Sequence, residues 1–249
     1  MDERIRRAQS FDRVAEEYDR GRPGYPDDAL DLLPVADDAF VLDLAAGTGK
    51  LTRVLARRYR RVVAVEPLAS LRAIITREAP AAAALDGRAE AIPLPDAELD
   101  AVFVAQAIHW FANDLAIAEI ARVLRPDGVL AILRNEVDDD APSPLPDAYR
   151  ERMRVLFEDR TYAPTDWQES VARGPFGELF EASVEHEQVS DREGVLAFAL
   201  SLSLIAHLPD DERQQAMEEL GAALPEGEYR FPMRTEVSWA IRQRSAQVS

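Results

Sequence analysis

The chain contains no cysteine. Disulfide scaffolds, thiolate-ligated zinc, iron–sulfur clusters and cysteine nucleophiles are therefore excluded, and nothing hints at an oxidising compartment. Histidine is nearly as scarce: only His109, His186 and His207 are present, so a multi-histidine metal site would need almost all of them and no metal is expected. Lysine is reduced to Lys50, every other basic residue being arginine. Positive charge as a whole is in short supply, with 29 basic against 46 acidic residues and a net charge of −17. A surface of that sign repels phosphate backbones, so nucleic acid is not expected as a partner. Long apolar runs are missing too. The most apolar stretch, Val195 to Leu208, contains Ser201, Ser203 and His207 and falls short of the roughly 20 residues of a membrane span. It reads as a buried helix, and no membrane association is expected. Met1 to Arg7 is charged and leads into no apolar stretch of signal-peptide type, so a cytoplasmic location is expected.

What is present suits a globular enzyme or binding protein. The 249 residues, 47% of them hydrophobic and 30% charged, suffice for a large core without staples. From Phe40 onward, short β-branched apolar runs alternate with longer amphipathic ones, the pattern of parallel βαβ units. Strands are expected at Phe40–Ala45, Arg60–Glu66, Ala83–Arg88, Leu99–Ala105 and Gly128–Arg134, and helices at Leu51–Arg58, Ser70–Glu78 and Asp114–Leu124. Five strands with right-handed crossovers imply an α/β, Rossmann-like doubly wound sheet with helices on both faces and a ligand crevice at the carboxyl ends of the strands. Asp138 to Pro146, a charge run followed by prolines, reads as a loop or hinge. Beyond it, helices are expected at Ala148–Glu158, Asp166–Arg173, Arg192–Ala206 and Asp211–Leu224, with strands at Ser183–Val189 and Arg234–Arg242. Two of these helical segments stand outside the alternating core and are expected to roof the crevice.

The segment Asp43-Leu44-Ala45-Ala46-Gly47-Thr48-Gly49-Lys50 joins the first strand to its helix. Its glycines let backbone approach a ligand closely. A P-loop would need glycine where Leu44 stands and a hydroxyl residue after Lys50, where Leu51 stands. A dinucleotide fingerprint would need glycine at Thr52, and its pyrophosphate would meet Asp43 at the strand tip as a like charge. A cationic ligand reverses that last objection. A carboxylate at the strand tip attracts an ammonium or sulfonium group, and Glu66, at the tip of the next strand, can accept both hydroxyls of a ribose. Asp43, the Gly47/Gly49 turn and Glu66 together describe a nucleoside ligand with positive charge. Taken singly, Asp43 could be a helix-turn residue and Glu66 a solvated strand end.

At these residues the chain resembles a class I S-adenosylmethionine-dependent methyltransferase of the broad ubiquinone/menaquinone-biosynthesis and "type 11" group. DLAAGTGKLTRVL resembles the family's D-x-G-x-G-T-G turn with Ala45 for the first glycine, and VVAVEPLASLRAI its second-strand motif ending in the ribose acid. GRAEAIPLPDAELDAVFVAQAIHWF resembles G-D-A-E-x-L-P-F running into the fourth strand, and EIARVLRPDGVLAI the L-x-P-G-G run into the fifth. The four motifs occur in order and at the usual spacing. The resemblance implies S-adenosyl-L-methionine as cofactor, held by Asp43, Ala45, Gly47, Thr48, Gly49, Glu66, Pro67, Arg88, Ala89, Glu90, Ala105 and Gln106. Arg88 stands where the family has an adenine-binding aspartate, so adenine reading falls to the Ala89 and Glu90 backbone or to stacking by Arg88. FDRVAEEYDRGRPGYP, from Phe11 to Pro26, resembles an N-terminal lid, which places Tyr18 and Arg22 near the methionyl end, with Arg22 pairing its carboxylate. TEVSWAIR, Thr235 to Arg242, resembles a last, antiparallel strand inserted between the fifth and sixth of a seven-stranded sheet. One domain is implied: residues 1–34 as lid helices, 35–135 as the cofactor-binding core, and 136–249 as substrate-side helices with the last two strands.

Methyl transfer from a sulfonium is an in-line displacement whose electrophile arrives on the cofactor, so alignment and water exclusion dominate. A general base is needed only where the acceptor must lose a proton. His109, four residues past the fourth strand, is the candidate base or substrate hydrogen-bonding group; it could equally orient its own loop. Trp110 could line an acceptor site, while His186 and His207 read as structural. Arg57, Arg58, Arg60 and Arg61 could suggest an anion site, or simply end a helix favourably. The expected partner is a small-molecule methyl acceptor, with a homodimer left open. A non-catalytic module that binds the cofactor or its demethylated product is the rival reading.

Overall fold

The computed structural model describes residues 15–138, 140–157 and 166–244. Phe11 to Val14 of the lid-like segment lie outside the described residues. In chain order the elements are α1 (Ala15–Gly21), β1 (Phe40–Leu44), α2 (Lys50–Arg58), β2 (Arg61–Val65), α3 (Ala69–Glu78), β3 (Ala83–Leu85), β4 (Leu99–Ala105), α4 (Ile108–Phe111), α5 (Asp114–Val123), β5 (Leu124–Val137), α6 (Asp147–Phe157), α7 (Trp167–Arg173), β6 (Phe180–Asp191), α8 (Arg192–Ser201), α9 (Ser203–Ala206), α10 (Asp210–Ala222) and β7 (Glu228–Ile241). The strands form one seven-stranded sheet in the order β3-β2-β1-β4-β5-β7-β6. The pairs β1/β2, β1/β4, β2/β3 and β4/β5 are parallel. The bonds Asp127 N to Arg242 O (3.1 Å) and Arg242 N to Gly128 O (2.8 Å) mark β7 as antiparallel to β5. This is the Rossmann-like doubly wound sheet with an inserted antiparallel strand that the sequence motifs imply.

The chain divides into two compact units, each built from separated segments: residues 1–24, 137–163 and 185–234 in one, residues 25–136, 164–184 and 235–249 in the other. In the second unit the period of two along the strands sorts side chains onto two faces. Leu42, Leu44, Val102, Val104, Leu130 and Ile132 pack with Ile117 and Ile120 of α5 and with Trp167 and Val171 of α7. Val41, Ala101, Phe103, Val129, Ala131 and Leu133 pack with Leu51, Val54 and Leu55 of α2 and with Leu30. Helices thus cover both faces, and the strands read as continuous apolar runs. In the first unit Tyr149, Val195, Ala199, Ile205, Leu220, Leu224 and Tyr229 form a core of their own.

Several expected boundaries move: β3 ends at Leu85 rather than Arg88, β6 runs over Phe180–Asp191 rather than Ser183–Val189, and β7 begins at Glu228 rather than Arg234. Two further changes have local reasons. β5 begins at Leu124 rather than Gly128, because the Arg-Pro-Asp turn is carried as a register shift against β4, between Leu99 and Ala101, with Asp127 left-handed at φ 67°. The long helix expected over Arg192–Ala206 breaks at Leu202, whose backbone is extended (φ −72°, ψ 128°).

Within the first unit α1 lies against α8 so closely that a Cβ on Gly21 would sit 2.1 Å from Phe198 N and 2.4 Å from Ala197 C. Those atoms are backbone and cannot swing aside. Gly21→Ala is expected to destabilise the protein by roughly 2–3 kcal/mol, read as a lower denaturant midpoint. Gly24→Ala, where a Cβ meets nothing within 4 Å, is the neutral control; equal midpoints for the two variants would refute the contact.

Candidate functional site

β1 lies between β2 and β4, where successive crossovers depart to opposite faces and the strand ends leave a crevice. The backbone leaving β1 is left-handed at Ala45 (φ 56°), Gly47 (φ 58°) and Gly49 (φ 80°). Such a run wraps the chain tightly before α2 begins, and only glycine tolerates it without strain. Ala45 carries that strain as a non-glycine residue, a feature concentrated at functional sites. Gly49 is the N-cap of α2, and a Cβ there would also press on Ile75 Cγ1 at 3.0 Å and Thr52 Oγ1 at 3.3 Å. Lys50 is simply the first residue of α2.

Glu66 stands directly after β2, opposite this turn. It is 5% exposed rather than solvated, and each carboxylate oxygen accepts a backbone N–H: Oε2 from Gly47 at 3.0 Å and Oε1 from Leu68 at 2.9 Å. Pro67 has no N–H, so the next donor along the chain makes the second bond. Each oxygen keeps a second lone pair for a hydroxyl donor. Burial pushes the Glu66 carboxyl up to about 7 against these bonds and the nearby Arg72.

Asp43 lies one residue inside the end of β1 rather than at its tip, on the α2 face, and is 1% exposed. Its Oδ2 accepts a 2.5 Å hydrogen bond from the Thr52 hydroxyl. Its Oδ1 is buried with no hydrogen-bond partner among the described residues, and the same is true of the Thr48 hydroxyl. Burial, only partly offset by Thr52 and reinforced by the charge of Glu66, raises the Asp43 carboxyl to about 7. An acceptor left unsatisfied in a dry environment is costly, and a donor or cation arriving in the turn relieves that cost. The donor set therefore fits a nucleoside with positive charge: backbone N–H groups, a carboxylate with lone pairs left for hydroxyls, and an unsatisfied buried acidic oxygen.

The ends of β3 and β4 bring the remaining candidates alongside. Glu66 N donates to Leu85 O at 3.1 Å, joining β2 to the segment that carries Arg88, Ala89 and Glu90. Arg88 is exposed and its backbone bridges to Ala91; Ala89 is buried; Glu90 accepts from Asn113 Nδ2 at 3.2 Å. Ala105 closes β4, and Gln106 after it is again left-handed (φ 52°). Gln106 N donates to Leu133 O at 3.0 Å and its Nε2 to Asn135 O at 2.7 Å, while the buried Asn135 Oδ1 accepts from the Thr235 hydroxyl at 2.6 Å. His109 sits half-buried on α4, its ring 5.0 Å from that of Trp110. Tyr18 and Arg22 belong to the other unit, where Arg22 bonds to Ser201. Three of the four clustered arginines are occupied internally: Arg57 pairs with Asp27 (2.7 Å), Arg58 with Asp37 (2.7 Å) and Asp31 (3.2 Å), and Arg61 covers the Phe40 ring at 3.8 Å.

Thr52 and Asn135 escaped the sequence reading. Thr52 left a signal, a hydroxyl among Leu51, Val54 and Leu55 on an otherwise apolar helix face. The Asn135–Gln106 bond joins residues 29 apart, one just after β4 and the other in β5, and left none.

Among the described residues no helix is long and apolar enough to cross a membrane, and no group of three His, Asp or Glu residues could hold a metal ion. The strand order and the acid-flanked glycine turn define the class I methyltransferase fold. A family model described as a methyltransferase domain matches residues 42–132. An uncharacterized methyltransferase of Mycobacterium tuberculosis is 48% identical over 130 residues, 52% of this chain and 54% of that protein, so the chain spans about half of that relative's length. An uncharacterized methyltransferase-like protein of Schizosaccharomyces pombe is 31% identical over 222 residues, 85% of this chain and 84% of its own. A solved structure of a candidate type II methyltransferase from Anaeromyxobacter dehalogenans superimposes with a TM-score of 0.61 at 26% identity, over 89% of this chain and 97% of that one. The chain belongs to the methyltransferase family.

The buried acids make stability depend on pH in a defined direction. Asp43 titrates near 4 in the unfolded chain and near 7 in the folded one. Between those values the folded state holds a proton that the unfolded state has lost, so this contribution falls as pH rises from about 4 and is gone above about 7. Asp43→Asn removes the titration. The thermal midpoint of the variant minus that of the wild type, without ligand, is expected to grow by roughly 10 °C between pH 4 and pH 7 and then stay level. A constant difference across that range would show that Asp43 ionises normally.

Proposed function

We propose that the protein transfers a methyl group from S-adenosyl-L-methionine to a small-molecule acceptor. The observation that carries this reading is the turn after β1. Two left-handed glycines approach a ligand closely, Glu66 has acceptor capacity left for ribose hydroxyls, and Asp43 holds a buried oxygen that a cation would satisfy. Ala45, Gly47, Thr48, Gly49, Glu66 and Pro67 would hold the sugar and the turn-facing side of the donor. Arg88, Ala89 and Glu90 would flank the adenine, and Ala105 and Gln106 the reacting end. When bound, the donor supplies an activated methyl on a sulfonium, so the chain needs no acyl or metal chemistry of its own.

The work of this chain's residues is then to bind, align and keep water away. The left-handed backbone after β1, held by Val65 and Glu66, and that at Gln106, held by Leu133 and Asn135, give the carboxyl ends of β1 and β4 a fixed shape, which is what in-line displacement demands. His109 would accept a proton from, or hydrogen-bond to, an acceptor hydroxyl or amine; a carboxylate acceptor needs no base. A net charge of −17 and arginines already committed to Asp and Glu favour a small acceptor over a polyanion.

Calorimetry with S-adenosylmethionine tests the donor site. Asp43→Ala and Gly47→Val are expected to weaken binding by more than about 100-fold; unchanged affinity in both would remove the turn from the reading. His109→Ala is expected to leave donor affinity intact and to lower turnover roughly tenfold or more on an acceptor found by screening metabolites. An unaltered rate would make His109 a structural residue of α4.

A further inference from the structure

In the sheet Asp43 stands between Ala64 of β2 and Phe103 of β4, neither of which has a side-chain donor to offer its carboxylate. The donor comes from α2 instead. Thr52, with no exposed surface, gives its hydroxyl to Asp43 Oδ2 at 2.5 Å. A threonine inside a helix commonly turns its hydroxyl back to the carbonyl four residues before it. Here that carbonyl, Thr48 O, accepts from Arg53 Nη2 at 3.2 Å, and the single hydroxyl proton of Thr52 goes to the carboxylate. The glycine turn leaves room for it: a Cβ on Gly49 would lie 3.3 Å from Thr52 Oγ1 and 3.4 Å from Thr52 Cβ.

This bond divides the carboxylate into two unlike halves. Oδ2 is taken, whereas Oδ1 is buried with no hydrogen-bond partner among the described residues. A buried carboxylate that stays ionised needs a donor or a cation on its second oxygen. The groups that act on the Asp43 charge are few. Burial opposes it most, Thr52 favours it, and Glu66 at the end of β2 opposes it again. The basic residues at the same end of α2 are Lys50 and Arg53, the latter with Nη2 on Thr48 O. Position 52 is also where a dinucleotide-binding turn carries its third glycine. With glycine there, the carboxyl would lose the one side-chain bond that favours its charge.

We propose that Thr52 is a positioning residue that sets this site for a cationic nucleoside: by holding Oδ2 it keeps Asp43 charged and leaves Oδ1 as the acceptor for a positively charged group of the methyl donor. The inference rests on the reading above, in which the turn after β1 holds that donor. An ammonium and a sulfonium are the two groups of that charge on the donor, and either would satisfy Oδ1. Thr52 touches neither and acts through Asp43. Valine in its place keeps the shape and removes the hydroxyl, so the carboxyl retains its proton. Serine keeps the hydroxyl and removes the methyl.

Calorimetry on the full chain tests this with three probes. S-adenosylhomocysteine carries the ammonium without the sulfonium, the S-methylsulfonium salt of 5′-methylthioadenosine carries the sulfonium without the amino acid, and 5′-methylthioadenosine carries neither. At pH 7, Thr52→Val is expected to weaken at least one charged probe about tenfold and to leave 5′-methylthioadenosine within about twofold. The charged probe that loses affinity identifies the cation that Oδ1 takes. Thr52→Ser is expected to stay within about twofold of the wild type for every probe. Wild-type affinity for the responsive probe is expected to rise with pH and to level above about 7; in Thr52→Val it levels about one pH unit higher. Thr52→Cys, whose thiol is a weak donor in the same place, moves the profile part of the way and serves if Thr52→Val does not fold. Serine losing as much as valine, equal weakening of all three probes, or an unmoved pH profile reduces Thr52 to packing and overturns the proposal. A wild type that binds the three probes equally well overturns the cation contact and leaves the donor reading standing. A wild type that binds none of them overturns the donor reading itself.

Discussion

The carboxylate of Glu66 accepts one backbone N–H from the turn after β1 and another from the turn after β2. Two loops that leave adjacent parallel strands are thereby tied to one side chain, and the left-handed path through Ala45, Gly47 and Gly49 is held where it would otherwise fray. The tie forces burial of an acid, and that burial raises the Glu66 carboxyl toward neutrality; Asp43 is raised by its own burial, with the charge of Glu66 adding to it. Removing Glu66 would take away more than a carboxylate with free lone pairs: it would release the turn that shapes the crevice.

Much of this was legible because parallel strands and their helices carry strong periodic signals. The strands FVLDL and LDAVFVA and the helix after Asn113 stand where their apolar spacing put them. The glycine turn, Asp43 and Glu66 could be singled out because charge and backbone freedom are local properties. Depth was not legible. Nothing local distinguishes a carboxylate at a strand tip from one buried a residue deeper, and Asp43 is the latter because its period-two face is the one α2 covers. Nor was any contact that closes a long loop: Ser201 lies 179 residues from Arg22, and the break at Leu202 falls inside an apolar run that reads as one helix.

The acidic excess also reads differently with the contacts in view. A charge of −17 first disfavours polyanionic partners. In the folded protein the acids have a second role, since arginines at the carboxyl end of α2 and elsewhere are neutralised by Asp and Glu from other segments. Exposed pairs of this kind add little stability each. Their collective effect is to leave few cations free, so any cation that stays unpaired is conspicuous.

The place of β7 between β5 and β6 carries a consequence for how the molecule is made. Its residues follow all the other strands in the chain, yet they fill an interior position of the sheet. Until they emerge during synthesis, the Val129–Leu133 stretch of β5 has one complete neighbour and one open edge of unpaired N–H and C=O groups. An apolar edge of that kind is a template for pairing with another nascent chain. The same insertion that completes the sheet thus keeps that edge of β5 open until β7 has emerged.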